Sequence, residues 1–301
     1  MALKVGLALG GGASRGLAHL GVIQALTEAK IPIDIVTGAS VGGVIGAIYA
    51  AHPDIDRAIK NVAAFLESDD YNQTRLDFIK ESEQQNKGYF AQIKRWVTTG
   101  YFFAISTTRS SFISRATFDS NLSHLIPKIQ IEECPIPLGL VATNLLTGQM
   151  TEFTAGDLMA SVLASAAIPG VFPSITINGL EYVDGSWVEP LPVKLARKIG
   201  ADFVIAVDVA PKMGTEEEDL ADLTGWDVQL RAAEASRLKL KNHCLLEADF
   251  SIKVDLMDIH WADFSRLDEC VKRGRAAGFK AIEAIEQQLR TKRFKRFFGL
   301  G

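Results

Sequence analysis

The chain has 301 residues but few cysteines, little net charge and no long apolar run. Its three cysteines, Cys134, Cys244 and Cys270, are widely spaced, so they form no disulfide framework and suit a reducing compartment. A net charge of -4 gives no overall attraction for nucleic acid. No stretch approaches the roughly 18 apolar residues of a membrane span, and no secretory signal precedes the first apolar segment. We therefore expect a cytoplasmic protein, soluble or peripheral to a membrane, without a nucleic-acid partner.

Short apolar runs that end in glycine alternate along the chain with segments of helical periodicity. With 48% hydrophobic and 23% charged residues, the chain has enough apolar side chains for a large core. The alternation is typical of a parallel sheet covered by helices on both faces, in which the first two strands are neighbours. We predict strands at 4–10, 33–39, 136–146, 201–209 and 250–256, a hairpin at 177–186, and helices at 15–29, 40–51, 156–169, 192–200 and 264–290.

One long segment, residues 68–130, does not fit this alternation well, because a polar stretch is followed by an aromatic one. We interpret it as an insertion or flap within a single domain that covers residues 1–301. Its aromatic part, residues 96–103, is either a lid over a site or ordinary core. Residues 215–225 are predicted to form an acidic loop.

A glycine-rich motif, "GGGASRG", joins the first predicted strand to the first predicted helix at Gly10 to Gly16. Glycines let the backbone approach a ligand closely, and the start of a helix offers unpaired N–H groups. Such a turn favours an anionic group, which is either a phosphate or the oxyanion of an acyl-transfer intermediate. A phosphate-binding loop would require Gly-Lys-Ser/Thr, which is absent. A glycine turn needed only for packing is the structural alternative.

A serine stands at the next strand-to-helix junction. Gly38-Ala39-Ser40-Val41-Gly42 matches G-x-S-x-G, with a predicted strand before it and an apolar helix after it. This is the pattern of a nucleophile elbow, in which a sharp turn exposes the serine hydroxyl. Serine is also a preferred N-cap residue, so capping is the structural alternative. The strand-to-helix context favours Ser40 as a nucleophile.

A nucleophilic serine needs a base, and the chain offers two candidates. Among its five histidines, His19 falls within a predicted helix, where a packing role is expected. His260 follows Asp184 and Asp208 in the chain, and this order allows a Ser-His-Asp triad. Asp184 lies in "EYVDGSWVEPLP", and on its own an Asp-Gly pair is typical of an ordinary turn.

Taken together, the three motifs resemble the patatin-like phospholipases, and most of all bacterial members related to the neuropathy target esterase catalytic domain. The matching segments run from residue 3 to about residue 210, whereas residues 68–130 and the C-terminal third add little. The segments are "LALGGGASRGLAHLGVIQAL", "IDIVTGASVGGVIGAIYAA", "ASAAIPGVFPS" and "YVDGSWVEPLPV".

The resemblance implies a three-layer α/β/α sandwich around a mostly parallel sheet. It also implies a serine esterase or lipid acyl hydrolase of phospholipase A or lysophospholipase type. Ser40 would be the nucleophile of a Ser-Asp dyad and Asp184 its base, and the reaction would pass through an acyl-enzyme. The oxyanion hole would come from the glycine-rich turn (Gly10, Gly11, Gly12, Ala13 and Arg15). Arg15 would anchor this loop or meet an anionic head group.

No metal and no cofactor are expected for such a hydrolase. One departure from the family pattern is Asp184-Gly185-Ser186, where glycine or alanine is usual at the third position. We do not expect this small change to abolish activity. A non-catalytic regulatory or binding protein on the same fold is the alternative from another functional class.

The C-terminal segment combines basic and aromatic side chains. Within "LRTKRFKRFFGLG", residues 290–298 hold five lysines and arginines interleaved with three phenylalanines. Cations beside aromatic side chains suit an anionic bilayer surface. A solvated terminal tail at 291–301 is the structural alternative. Peripheral contact with an anionic membrane is therefore one of the sequence-based hypotheses.

Overall fold

A computed structural model describes residues 3–72, 111–210 and 225–299 of the chain. Most of the predicted flap, including the aromatic segment 96–103, lies outside the described residues. The same is true of nearly all of the predicted acidic loop at 215–225.

All eight described strands belong to one sheet. Five of them pair in parallel in the order β3-β2-β1-β7-β8, and the others join antiparallel to β3 or to each other. The predicted first two strands are indeed neighbours. The strands are β1 (Val5–Leu9), β2 (Ile35–Ala39), β3 (Leu138–Asn144), β4 (Met150–Phe153), β5 (Ile175–Ile177), β6 (Leu180–Asp184), β7 (Phe203–Asp208) and β8 (Phe250–Lys253).

Helices cover both faces of this sheet, as predicted. Along β1, Val5, Leu7 and Leu9 belong to one buried cluster, whereas Ala8 belongs to a second cluster on the other face. The helices are α1 (Ala18–Glu28), α2 (Val41–Ala51), α3 (Ile55–Leu66), α4 (Asp69–Asn72), α5 (Arg115–Ser123), α6 (Leu158–Ala166), α7 (Val193–Lys198), α8 (Gly225–Leu246) and α9 (Leu267–Phe297). Within the described parts of the chain, no helix has both the length and the apolar character needed to cross a bilayer.

The pairing of β3 brings two distant strand ends together. Both β2 and β4 pair with Leu140 and Val141, so they lie on opposite edges of β3. Both β4 and β6 pair with Ala142 and Thr143, so they too lie on opposite edges. Consequently β2 and β6 share one edge of β3 and meet end to end. The junction that follows β2 and the last residue of β6 therefore become neighbours.

Candidate active site

The turn between β2 and α2 is as tight as the glycine spacing predicts. Ser40 has φ 56° and ψ −133°, a conformation that side-chain-bearing residues rarely adopt. A Cβ on Gly38 would lie 2.4 Å from the carbonyl oxygen of Gly42, and one on Gly42 would lie 2.3 Å from that of Leu9. Both contacts are with backbone, so no side chain fits at either position. The strained conformation of Ser40 is thus fixed by its surroundings.

The Ser40 hydroxyl does not cap the helix that follows it. Ser40 occupies the N-cap position of α2, but its side chain makes no capping hydrogen bond. The hydroxyl instead interacts with the carboxylate of Asp184, and this interaction lowers the pKa of that carboxyl. This contact is the consequence of the end-to-end meeting of β2 and β6.

Asp184 is held in place by its own backbone and by a short turn. Its N–H donates to the carbonyl of Ala167 at 2.9 Å, and its carbonyl accepts from Thr143 Oγ1 at 2.8 Å. Its carboxylate oxygen Oδ1 accepts from the Ser186 amide at 2.8 Å. The predicted hairpin before it is present, with Asn178 and Gly179 both at positive φ in the two-residue turn.

Ser40 and Asp184 lie almost wholly out of contact with solvent. Only 6% of Ser40 and 3% of Asp184 is exposed. Burial raises the pKa of Asp184 above its ordinary value, and the hydrogen bonds from Ser40 and Ser186 oppose this effect only partly. A carboxylate with a raised pKa is a stronger base than an exposed aspartate.

The glycine-rich turn lies directly against Ser40 and Ser186. A Cβ on Gly11 would lie 2.2 Å from Ser186 Oγ and 3.2 Å from Ser40 Cβ. A Cβ on Gly16 would lie 2.1 Å from a methyl group of Val41, so the turn also packs on the start of α2. Glycine at these positions therefore lets the turn approach the Ser40 hydroxyl.

Several amides of the turn already have partners within the protein. The Gly10 amide donates to Val207 at 3.1 Å and the Gly11 amide to Pro190 at 3.2 Å. Those of Ser14 and Arg15 also donate to backbone carbonyls. Among the residues that the structure describes, no such acceptor faces the amides of Gly12 and Ala13. Ala13 has φ 49°, which turns the backbone sharply at this point.

Two side chains fix the turn from opposite ends. His19 is fully buried, its Nε2 lies 2.8 Å from the Gly10 carbonyl, and burial lowers its pKa to about 4, so the ring is neutral. The predicted packing role of this histidine matches its position. Arg15 Nε donates to the carbonyl of Ile259 at 2.8 Å, so its guanidinium anchors the turn.

His260 contacts the glycine turn through its backbone. Its carbonyl accepts from Ser14 Oγ at 2.8 Å, and its Nδ1 accepts from the Ala262 amide at 3.2 Å. The carboxylate whose pKa the Ser40 hydroxyl lowers is that of Asp184.

The arrangement of the turn, Ser40 and Asp184 falls within a range of the chain that matches a known family. The pattern of the family described as "Patatin-like phospholipase" matches residues 7–197, which include the glycine turn, Ser40 and Asp184. The chain belongs to this family. The matched range covers β1 to α7 and therefore the whole edge of the sheet at which the dyad lies.

Relatives of this patatin-like chain are larger proteins. It is 31% identical to "Lysophospholipase NTE1" of Mycosarcoma maydis over 308 aligned residues, which cover 95% of this chain and 15% of that protein. It is 30% identical to "Patatin-like phospholipase domain-containing protein 7" of Mus musculus over 225 residues, 74% of this chain and 15% of that protein. The chain thus spans about 15% of the length of these relatives.

The solved structures that align with this chain have lower sequence identity to it than the relatives named above. VipD from Legionella pneumophila aligns with a TM-score of 0.49 and 18% identity, over 94% of this chain and 67% of that one. Human GIVD cytosolic phospholipase A2, solved with a fluorophosphonate inhibitor, aligns with a TM-score of 0.49 and 12% identity, over 97% and 59%.

One residue of the patatin-like site was not assigned from sequence. Ser165 on α6 accepts from the Ser40 amide twice, through its carbonyl at 3.1 Å and its hydroxyl at 3.2 Å. It therefore holds the strained elbow from behind. A serine in a mostly apolar helix was the available sequence signal, but Ser161 in the same helix gives the same signal, and the partner of Ser165 is far away in the chain.

Proposed function

We propose that this protein is a lipid acyl hydrolase that uses Ser40 and Asp184 as a catalytic dyad. The observation that carries the proposal is that the Ser40 hydroxyl interacts with the buried carboxylate of Asp184 and thereby lowers the pKa of this carboxyl. A hydroxyl becomes a competent nucleophile when an adjacent base accepts its proton. No third residue is needed to connect the two.

The reaction proceeds in two halves through an acyl-enzyme. Ser40 Oγ attacks the ester carbonyl carbon while its proton moves to Asp184. The ester C–O bond then breaks, and the alcohol leaves with that proton. Water repeats the sequence on the acyl-serine, with Asp184 accepting its proton, and releases the carboxylic acid and free Ser40.

The oxyanion of each tetrahedral intermediate needs hydrogen-bond donors. Of the five residues suggested by sequence, we assign this role to the amides of Gly12 and Ala13, because those of Gly10, Gly11 and Arg15 donate to carbonyls of the protein. Each such donor typically lowers the barrier by about 3–4 kcal/mol. Arg15 then acts by anchoring the turn.

Two alternatives are weaker on the same geometry. A triad through His260 would need an imidazole at the Ser40 hydroxyl, where Asp184 stands instead. A non-catalytic binding protein would have no use for a strained serine at φ 56° beside a buried carboxylate. Strain of this kind typically costs about 1–3 kcal/mol and persists at functional sites.

The substrate that we favour is a single-chain phospholipid. Two features support it: membership of the patatin-like phospholipases and the name "Lysophospholipase" of relatives that align with 95% of this chain. We further propose peripheral contact of residues 290–298 with anionic membranes. The end of α9 supports this contact, because Phe294, Phe297 and Phe298 are exposed there beside basic side chains.

The dyad is tested by Ser40→Ala and Asp184→Asn, with His260→Ala as the matched control. We expect each dyad variant to lose at least about 100-fold in turnover of a short, soluble p-nitrophenyl ester, because each removes a group that acts in the transition state. His260→Ala should retain turnover within a few-fold. The wild-type rate should fall as the pH drops through the raised pKa of Asp184.

Each outcome of this experiment has a clear meaning. Near wild-type turnover in either dyad variant would contradict the dyad, provided that circular dichroism shows the same fold. Loss of turnover in His260→Ala alone would support the triad. A wild-type protein that hydrolyses neither the ester nor a lysophospholipid, and does not react with a fluorophosphonate probe, would favour the binding protein.

A further inference from the structure

Two neighbouring hairpins, β3–β4 and β5–β6, carry exposed leucines at the end of the sheet where the parallel strand β2 finishes. Leu145 and Leu146 follow β3 and are 54% and 81% exposed, and Leu180 opens β6 and is 38% exposed. The two turns are joined by a hydrogen bond of 2.9 Å from the Leu145 amide to the Glu181 carbonyl. We refer to Leu145, Leu146 and Leu180 as the leucine tips.

The register of the sheet places the leucine tips beyond the catalytic dyad. Ala39 at the end of β2 pairs with Val141, and Asp184 pairs with Ala142. Leu145 lies three residues beyond Ala142, just after β3 ends, and Leu180 lies four residues from Asp184 along β6. At roughly 3.3 Å per residue, they project about 10 Å and about 13 Å past the level of Asp184.

The outward position of these leucines is built into the turn. Asn144 is buried, and its Oδ1 accepts from the amides of Leu146 at 2.9 Å and Thr147 at 3.1 Å. Its carbonyl accepts from Gly148, which has φ 68°. The turn is therefore fixed by a side chain of the core, and the leucines cannot fold back without breaking these bonds.

The charges around the leucine tips favour one type of surface. No charged residue occurs between Glu133 and Glu152 in the sequence. On the other hairpin, Glu181 accepts from Thr176, and hydrogen bonds with Ser174 and Thr176 lower its pKa, so it stays negative. An uncharged apolar projection with a carboxylate beside it suits a zwitterionic lipid surface better than an anionic one.

We propose that the leucine tips insert into the surface of a zwitterionic lipid bilayer or micelle and hold the catalytic edge of the sheet against it. This inference rests on the proposed function, because a lipid substrate must leave such a surface to reach the buried Ser40. Insertion of leucine side chains removes apolar surface from water, and their loss should weaken lipid binding in proportion.

The test measures binding separately from catalysis. Leu146→Glu and Leu145→Glu/Leu146→Glu are made in the Ser40→Ala background, and flotation with phosphatidylcholine vesicles is measured. We expect about a ten-fold or greater loss of binding, since burial of one leucine is typically equivalent to about one to two orders of magnitude in affinity. If the double variant does not fold, the single variant at the more exposed position carries the test.

The matched control is Leu246→Glu, because Leu246 is 82% exposed at the end of α8 and lies away from the dyad. It should bind vesicles like the parent protein. With Ser40 restored, Leu146→Glu should hydrolyse a soluble short-chain ester within about two-fold of wild type, because the leucine tips do not touch the dyad.

Three results would overturn the proposal: unchanged vesicle binding in both tip variants, equal loss in Leu246→Glu, or a parent dimer that Leu146→Glu converts to monomer. The last would show that the leucine tips bind a second copy of the chain. If no ester is hydrolysed at all but the tips still govern vesicle binding, the proposed function fails and the lipid-binding surface stands.

Discussion

The burial that raises the pKa of Asp184 also lowers the stability of the folded protein when this carboxyl is charged, because burial disfavours the charged form. Burial raises the pKa of Asp184 in the folded protein above the value near 4 expected in the unfolded chain. As the pH rises, the unfolded chain therefore loses this proton first. The contribution of Asp184 to stability is greatest below pH 4 and is lost as the pH rises through the folded-state pKa.

This argument gives a prediction for Asp184→Asn, which keeps the shape of the side chain but carries no charge. The unfolding free energy of the variant minus that of wild type should be higher at pH 8 than at pH 4, although we expect the variant to be inactive. Thermal melts at the two pH values measure the difference. A variant that is more destabilised at pH 8 than at pH 4 would contradict a raised pKa for Asp184.

At the same scale, the sequence indicated the candidate site residues but not how they are supported. Ser40 and Asp184 follow from local motifs whose spacing has a direct physical meaning. The Ser40 side chain makes no capping hydrogen bond, and the position of Asp184 at the end of β6 is set by the register of β6 on β3. The engaged amides of Gly10 and Gly11 depend on Val207 and Pro190, which no local pattern links to them.

At the level of elements, α1 and α9 pack unusually closely through glycines. A Cβ on Gly274 would lie 2.0 Å from the carbonyl oxygen of Ala18, and one on Gly21 would lie 2.0 Å from that of Val271. A Cβ on Gly278 would lie 2.6 Å from the Cβ of Ala25. Because α1 begins directly after the glycine turn, this contact also supports the site.

We predict that Gly274→Ala lowers the unfolding free energy by about 1–3 kcal/mol, because the new methyl group must push two backbones apart. Gly225→Ala is the matched control, since a Cβ there meets no described residue within 4 Å. It should leave stability unchanged or raise it slightly. Urea denaturation of both variants measures the difference, and equal curves would contradict the close contact.

The elements that sequence predicted well are those with strong local signals. The first two strands and helices have buried residues at the expected spacing and glycines at their junctions. The 22-residue helix α8 was not assigned, because most of its described side chains are exposed and it buries mainly Lys241 and Cys244. Its main anchor is the ion pair of 2.9 Å between Lys241 and Asp208, a long-range contact.

At the scale of the whole molecule, the proposed anionic-membrane contact and the proposed dyad lie at opposite ends of the parallel strands. Helix α9 has 31 residues and is about 45 Å long. Near its end, Arg296 pairs with Asp202 at 2.9 Å, and Asp202 accepts from the amide of Lys4, just before β1 begins. The parallel strands β1 and β2 begin at this end of the sheet, whereas Ser40 follows the last residue of β2 at the other end.

The basic tail also has a structural role in part. Lys292 pairs with Asp249 at 2.6 Å, and basic side chains in the last turn of α9 interact favourably with the helix C-terminus. A groove lies between the tail and the start of β7, but it is not lined by the dyad. If the basic tail and the start of β7 contacted a membrane, Ser40 would therefore face away from that membrane.

This geometry separates anionic-membrane binding from lipid turnover. Arg293→Gln/Lys295→Gln keeps the pairs of Lys292 and Arg296, and each neutralised charge removes about 1 kcal/mol of attraction to an anionic surface. We expect about a ten-fold or greater loss of binding to phosphatidylserine-containing vesicles at low salt, and unchanged turnover of lipid in phosphatidylcholine vesicles. Arg57→Gln/Lys60→Gln on α3 changes the net charge equally and should retain anionic binding. If the tail variant lost turnover on phosphatidylcholine but kept anionic binding, both the tail contact and the assignment of the two edges would be wrong.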